Sequence, residues 1–205
     1  MSNQRCEAVH KSCKQGGRRR GPSSYWMHDS ELVFNELRLL PGDVFLDMGC
    51  GPGDYALHAA DMVGKDGIVY ALDSNTNVLQ EVKRRSKGVA WDNIKTIASD
   101  MTAPVPVEDA SVDMCFMSTS LHCMDLATSG KTIFQEVGRV LKATGRVAVL
   151  ECKKEQMDFG PPLHMRISAE DVAGTILDLG FTKSGYVDLG MNYLVVFTKE
   201  AGCKK

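Results

Sequence analysis

Val44-Phe45-Leu46-Asp47-Met48-Gly49-Cys50-Gly51-Pro52-Gly53 (VFLDMGCGPG) is the stretch on which the fold turns. Val44 to Met48 is a short apolar run, the pattern of a buried strand. It runs straight into three glycines in five residues. An amphipathic segment follows, with Tyr55, Leu57, Ala59, Ala60 and Met62 as its apolar surface. Strand, glycine loop and helix in that order open a βαβ unit. In an open parallel sheet, ligands bind beyond the carboxyl ends of the strands, where this loop lies. Its glycines allow backbone to approach a ligand with no Cβ in the way. The next strand, Gly67 to Leu72, ends at Asp73, 20 residues past Gly53. An acid at that distance suits the hydroxyls of a ribose.

Outward from this unit the alternation continues. Asp29 or Ser30 caps a helix with Val33, Leu37 and Leu40 on one face. Val78 and Val82, set among charged residues, mark a second helix after Asp73. Ile94–Ala98, Val112–Met117 and Arg146–Leu150 are further strands, and Ile133, Val137, Val140 and Leu141 stripe a long helix between the last two. Ser168 caps a helix carrying Val172, Ile176 and Leu179, stopped by Gly180. Phe181–Val187 and Tyr193–Thr198 then follow one another with only a turn at Gly190. This pattern predicts an α/β, doubly wound, mostly parallel sheet with helices on both faces and an antiparallel hairpin at one edge. Residues 25–205 read as a single domain, and residues 1–24 as a basic tail.

The 205 residues are 43% hydrophobic and 24% charged, which excludes a mostly disordered chain. No apolar run approaches the ~20 residues of a membrane span, and the start lacks the apolar core of a secretory signal. Seven scattered cysteines read as reduced thiols, so a cytoplasmic location is expected. Net charge is −2, but residues 1–24 carry +5 and the remainder −7. An acidic body argues against nucleic acid as the main substrate. Cys6, His10 and Cys13 offer three metal ligands where a structural zinc site wants four, and no metal is expected.

A dinucleotide fingerprint G-x-G-x-x-G needs glycine at position 54, where this chain has Asp54. An acid there opposes a pyrophosphate at the helix start. The phosphate loop G-x-x-x-x-G-K-[ST] is absent too, so a nucleoside cofactor without phosphates fits better. At Asp47–Gly53 the chain resembles the first motif of class I S-adenosylmethionine (SAM) dependent methyltransferases, the small-molecule type related to quinone-biosynthesis and arsenite methyltransferases. Tyr70-Ala71-Leu72-Asp73, Ser99-Asp100-Met101, Ser111–Phe116 and Val140–Arg146 extend the resemblance over about residues 43–200. It implies a Rossmann-like seven-stranded sheet of order 3-2-1-4-5-7-6 with strand 7 antiparallel. It implies SAM as cofactor, with Gly49, Cys50, Gly51 and Gly53 under its methionyl part and Asp47 at its amino group. Asp73 would hold the ribose, Asp100 and Met101 the adenine with Ser74 beside it, and Ser118 would offer backbone contact.

Those families often carry Leu-His-His after the fourth strand, where this chain has Leu121-His122-Cys123. His122 is the candidate general base, with a loop-stabilising histidine as the other reading. The N-terminal helix covers the site in this family, so Tyr25, Trp26 and His28 are candidates for a lid or for simple packing. Asp158–Arg166, with its glycine and prolines, is expected to shape the acceptor pocket or to serve only as a connection. Cys123 and Cys152 could hold a thiophilic metalloid or pack independently. The expected function is methyl transfer to a small or medium-sized acceptor. The alternatives are a macromolecular methyltransferase, acting on RNA or protein, and a non-catalytic nucleoside-binding module.

Overall fold

The computed structural model describes residues 23–88 and 92–200. The basic head, with Cys6, His10 and Cys13, lies outside the described residues. The elements, in chain order, are α1 (Ser30–Leu37), β1 (Val44–Met48), α2 (Asp54–Val63), β2 (Ile68–Asp73), α3 (Thr76–Ser86), β3 (Ile94–Ala98), β4 (Val112–Ser118), α4 (Leu126–Val140), β5 (Leu141–Cys152), α5 (Ala169–Ile176), β6 (Phe181–Leu189) and β7 (Asn192–Lys199). Short 3₁₀ turns lie at Ser24–Trp26, Leu121–Cys123, Leu163–Met165 and Leu177–Leu179.

The strands form one sheet in the order β3-β2-β1-β4-β5-β7-β6. Strands β1 to β5 pair in parallel, while β7 runs antiparallel to both β5 and β6. This is the order that the family resemblance implied and the edge hairpin that the sequence pattern predicted. Central strands are apolar on both faces because helices cover both. Along β4, Met114 and Phe116 join the core that α1, α2 and α3 cover, and Cys115 and Met117 join the core under α4 and α5. The same alternation in β7 sends Leu194 and Val196 one way and Tyr193, Val195 and Phe197 the other.

Several boundaries differ from the sequence reading, among them α5, which ends at Ile176 and leaves Leu179 in the following 3₁₀ turn. Helix α1 stops at Leu37, with Arg38 left-handed at φ 49°. Leu39 turns into the core and Leu40 is 64% exposed. Pro41 is the reason, since a residue before proline is pushed out of the helical region. Strand β5 starts five residues early, at Leu141, and its register against β4 shifts between Val112 and Met114. Among the described residues no helix is long and apolar enough to cross a membrane.

Candidate active site

The parallel order leaves the carboxyl ends of β1, β2, β4 and β5 on one edge. A cavity of about 360 Å³ opens there. Its floor is the loop after β1. Gly49 has φ +80°, and a Cβ on it would stand 2.8 Å from Ser120 Cβ and 3.2 Å from Met101 Cε. Glycine is therefore required where the β1 loop passes under the loop after β4. Gly53, at φ +81°, instead faces α3: its Cβ would meet Val82 Cγ2 at 2.7 Å. Gly49, Cys50 and Gly51 line the cavity, whereas Gly53 sits behind it at the start of α2.

Asp47 ends the apolar run of β1 and is 1% exposed. Its Oδ2 is buried with no hydrogen-bond partner among the described residues. Burial and the nearby Asp73 charge push this carboxyl up to about 8, with Asp54 adding and the Ala56 N–H opposing. A buried acceptor without a donor is costly unless a ligand completes it. Asp73, also 1% exposed, accepts from the backbone N–H of Gly51 at 3.0 Å and of Asn75 at 2.9 Å. It thus ties the glycine loop to the end of β2 while lining the cavity.

Ser74, Asp100 and Met101 lie on the same wall. Asp100 accepts from the Thr102 hydroxyl at 2.6 Å and the Thr102 N–H at 2.8 Å through one oxygen. Those bonds hold its carboxyl below the usual range. Asp54 is answered by Arg85, whose guanidinium donates to its carboxylate at 2.7 Å and to the Pro52 carbonyl at 2.6 Å.

The opposite end is built by the loops after β4 and β5. Thr119 takes a left-handed φ of 46°, rare for a non-glycine, and turns the chain into the 3₁₀ turn that carries His122. Ser118 shares a 2.7 Å hydrogen bond with the Ser24 hydroxyl. Cys123, Cys152, Phe159, Gly160 and Pro161 complete this end, so the Asp158–Arg166 segment does supply a wall. His122, Cys123 and Met124 also line a second, outer groove with Lys154, His164 and Asp171.

Of the two readings of the N-terminal cover, Tyr25 and His28 follow the packing one. Ser23, Ser24 and Met27 line the cavity. Tyr25 instead docks on α2, its hydroxyl 2.9 Å from His58 Nδ1, and His28 Nε2 is 2.8 Å from the Tyr55 hydroxyl. Trp26 is 72% exposed. Among the described residues no group of three or more His, Cys, Asp or Glu could hold a metal ion.

Sequence reasoning passed over Glu151, which is 1% exposed and binds the His122 turn. The signal was available. Glu151 is an acid directly after the apolar run Val147–Leu150, the pattern that singled out Asp47 and Asp73. Ser24, Met27 and Tyr55 carried no comparable mark.

The geometry has clear counterparts. Residues 39–183 match the profile of a family described as a methyltransferase domain. The 2-phytyl-1,4-naphtoquinone methyltransferase of Trichormus variabilis is 33% identical over 118 residues, which is 54% of this chain and 47% of that protein. The demethylmenaquinone methyltransferase of Lactobacillus johnsonii is 30% identical over 118 residues, covering 58% of this chain and 47% of its own. The chain thus spans about half the length of these curated relatives. A solved SAM-dependent methyltransferase from Aquifex aeolicus superposes with a TM-score of 0.77 at 28% identity, over 86% of this chain and 93% of that one. The sheet order, the glycine loop with its buried acids, and a family profile spanning most of the chain converge, and the chain belongs to the methyltransferase-domain family, within the class I SAM-dependent methyltransferases.

Proposed function

We propose that this protein transfers a methyl group from SAM to a small-molecule acceptor. The observation that carries the reading is Asp47 Oδ2, buried at the cavity floor without a donor. The α-ammonium of SAM is a donor of the right charge for it. Asp73, at the end of β2, lines the cavity where it suits the ribose hydroxyls, and the second carboxylate oxygen of Asp100 suits the adenine amino group. Gly49, Cys50 and Gly51 form the floor, Met101 and Ser74 border the adenine, and Ser118 meets the cofactor from β4. Gly53 serves the site indirectly, by letting α2 pack on Val82.

When bound, the cofactor supplies an electrophilic methyl carbon, to which the acceptor's lone pair bonds while the C–S pair leaves with a neutral thioether. The chain's own task is to orient the two partners and exclude water. The apolar side chains of Met27, Met124 and Phe159 in the cavity lining do the second. The acidic body and a cavity of about 360 Å³ support a small acceptor over a nucleic acid.

Calorimetry tests the cofactor. S-adenosylhomocysteine is expected to bind and NAD is not; tighter NAD binding sinks the reading. Asp73→Ala should weaken S-adenosylhomocysteine about ten- to hundredfold, the worth of hydrogen bonds to a charged acceptor. An unchanged affinity in the folded variant would place the ribose elsewhere. Release of S-adenosylhomocysteine from SAM with pooled small acceptors, and none with RNA, distinguishes the acceptor classes.

A further inference from the structure

The 3₁₀ turn after β4 sets a nucleophile between two cavities. Of the four described cysteines, Cys50, Cys115 and Cys152 are buried and Cys123 is exposed. Cys123 lines both the main cavity and the outer groove, which encloses about 600 Å³. Its neighbour His122 is braced from the core. Glu151, 1% exposed, accepts from the backbone N–H of Leu121 at 2.8 Å and of His122 at 3.2 Å, and lies 2.8 Å from His122 Nδ1. His122 hydrogen bonds in turn with Cys123. Buried carboxylate, imidazole and exposed thiol thus stand in series, the arrangement that activates a cysteine.

The charges decide what this series does. A carboxylate as deep as Glu151 needs a counter-charge, and the imidazole beside it supplies one. Burial pushes the His122 ring down, but its hydrogen bonds with Cys123 and Glu151 and their charges outweigh burial and push it up to about 10. A ring that holds both protons at neutral pH cannot act as a general base there. Beside a thiol it favours the thiolate, the form that attacks. The other charges of the outer groove are engaged elsewhere. Lys154 pairs with Asp171 at 2.8 Å, Asp125 accepts from the Ala127 N–H at 3.1 Å, and Arg166 is spent on backbone carbonyls, with His164 beside them. The buried cysteines are quiet by comparison. Burial pushes the Cys115 thiol up and the Cys152 thiol up to about 12, so both stay neutral.

We propose that Cys123 is a modification site, a thiolate that exchanges with low-molecular-weight disulfides of the glutathione class. The Cys123 sulfur attacks one sulfur of the disulfide. A new S–S bond forms as the old one breaks, and the other half leaves as a thiolate that takes its proton from water. No oxidant beyond the disulfide is consumed. The outer groove gives the attached half room, and the adduct stands at the end of the cavity built by the loops after β4 and β5. Glu151 and His122 are positioning residues for this step. The site goes beyond the methyl-transfer reading and does not depend on it.

The test exposes the full, reduced chain to oxidised glutathione and reads each cysteine by peptide mass mapping. Cys123 is expected to be capped at least about tenfold faster than Cys50, Cys115 and Cys152. Its rate should fall no more than about tenfold between about pH 9 and about pH 6.5, where a cysteine in an unstructured peptide, with its pKa near 8.5, loses about seventyfold. The ultraviolet absorbance of the thiolate, taken as wild type minus Cys123→Ser, should titrate at or below about pH 7.5. His122→Gln should return Cys123 to the profile of the peptide. A wild-type profile like that of the peptide, or Cys152 capped first, overturns the site, and neither result needs a variant to fold. An unchanged profile in folded His122→Gln overturns the part given to the imidazole. Failure of S-adenosylhomocysteine to bind would count against the methyl-transfer reading and leave these results standing.

Discussion

Asp47 serves two masters. Its carboxyl is pushed up to about 8 by burial and by Asp73, so the folded, empty protein holds that proton more tightly than the unfolded chain does. Its contribution is therefore present below the ordinary carboxylate range and is lost as pH rises from about 4 to about 8. Above that, the empty protein carries an unpaired buried charge. Asp47→Asn removes the charge at nearly constant shape. By scanning calorimetry at about pH 8.5 the empty variant should melt about 2–8 °C higher, since each kcal/mol is worth about 2–4 °C at this size. The same variant should bind S-adenosylhomocysteine at least about tenfold more weakly, the loss of a charge-assisted bond. A variant that melts lower and binds normally would mean that Asp47 is a structural acid with partners of its own. Asp47 and Asp73 were legible in sequence because each closes an apolar run. The hydrogen bond that makes Asp73 a clamp on Gly51 was not, since it depends on the twist that brings two strand ends together.

At the level of elements, the excursion between β5 and α5 shows where sequence reading thins out. The glycine and prolines of Asp158–Arg166 announce a segment without regular structure, and its place after β5 points to the acceptor side. What organises it is Arg166, only 4% exposed. Its guanidinium donates to the carbonyls of Pro161 at 2.7 Å, Phe159 at 2.5 Å, Glu155 at 2.5 Å and Lys153 at 3.3 Å. In sequence an arginine that cages carbonyls looks like any surface arginine, because its partners are backbone. The planar fork is essential, as an ammonium cannot reach four carbonyls at once. Arg166→Lys should therefore free Phe159–Pro161 from the cavity wall. Amide exchange over residues 155–162 should rise at least about tenfold, while S-adenosylhomocysteine affinity changes less than about threefold, because Asp47, Asp73 and Asp100 lie on other segments of the chain. Arg166→Ala should also cost about 2–4 kcal/mol of stability, with several buried carbonyls left unpaired. Unchanged exchange in the lysine variant would show that the prolines alone hold the wall.

Across the whole molecule, the strand order was what the family resemblance implied, whereas a mostly parallel sheet was legible because strand–helix alternation leaves few arrangements, and the late pair of strands without a helix admits only a hairpin. The N-terminal cover was not. Its contacts join residues far apart in the chain: Ser24 to Ser118, Tyr25 to His58, His28 to Tyr55, and Asn192 Nδ2 to His28 Nδ1 at 3.2 Å. No local pattern encodes such pairs, and Ser23 and Ser24 read as part of a polar tail although they line the cavity. The cover thus ties α2, β4 and β7 together over the cofactor end. Two truncations separate the cover from the basic head. Removing residues 1–20 should leave S-adenosylhomocysteine affinity within about twofold and the melting temperature nearly unchanged, since every contact named above remains. Removing residues 1–28 strips Ser24 from Ser118, uncovers Tyr55 and deletes the Met27 wall. Affinity should then fall at least about tenfold, the loss of one or two buried hydrogen bonds and their packing. Equal losses from both truncations would assign the binding contribution to the head; equal silence would mean that the cavity floor alone, Asp47 through Gly51 with Asp73, holds the cofactor.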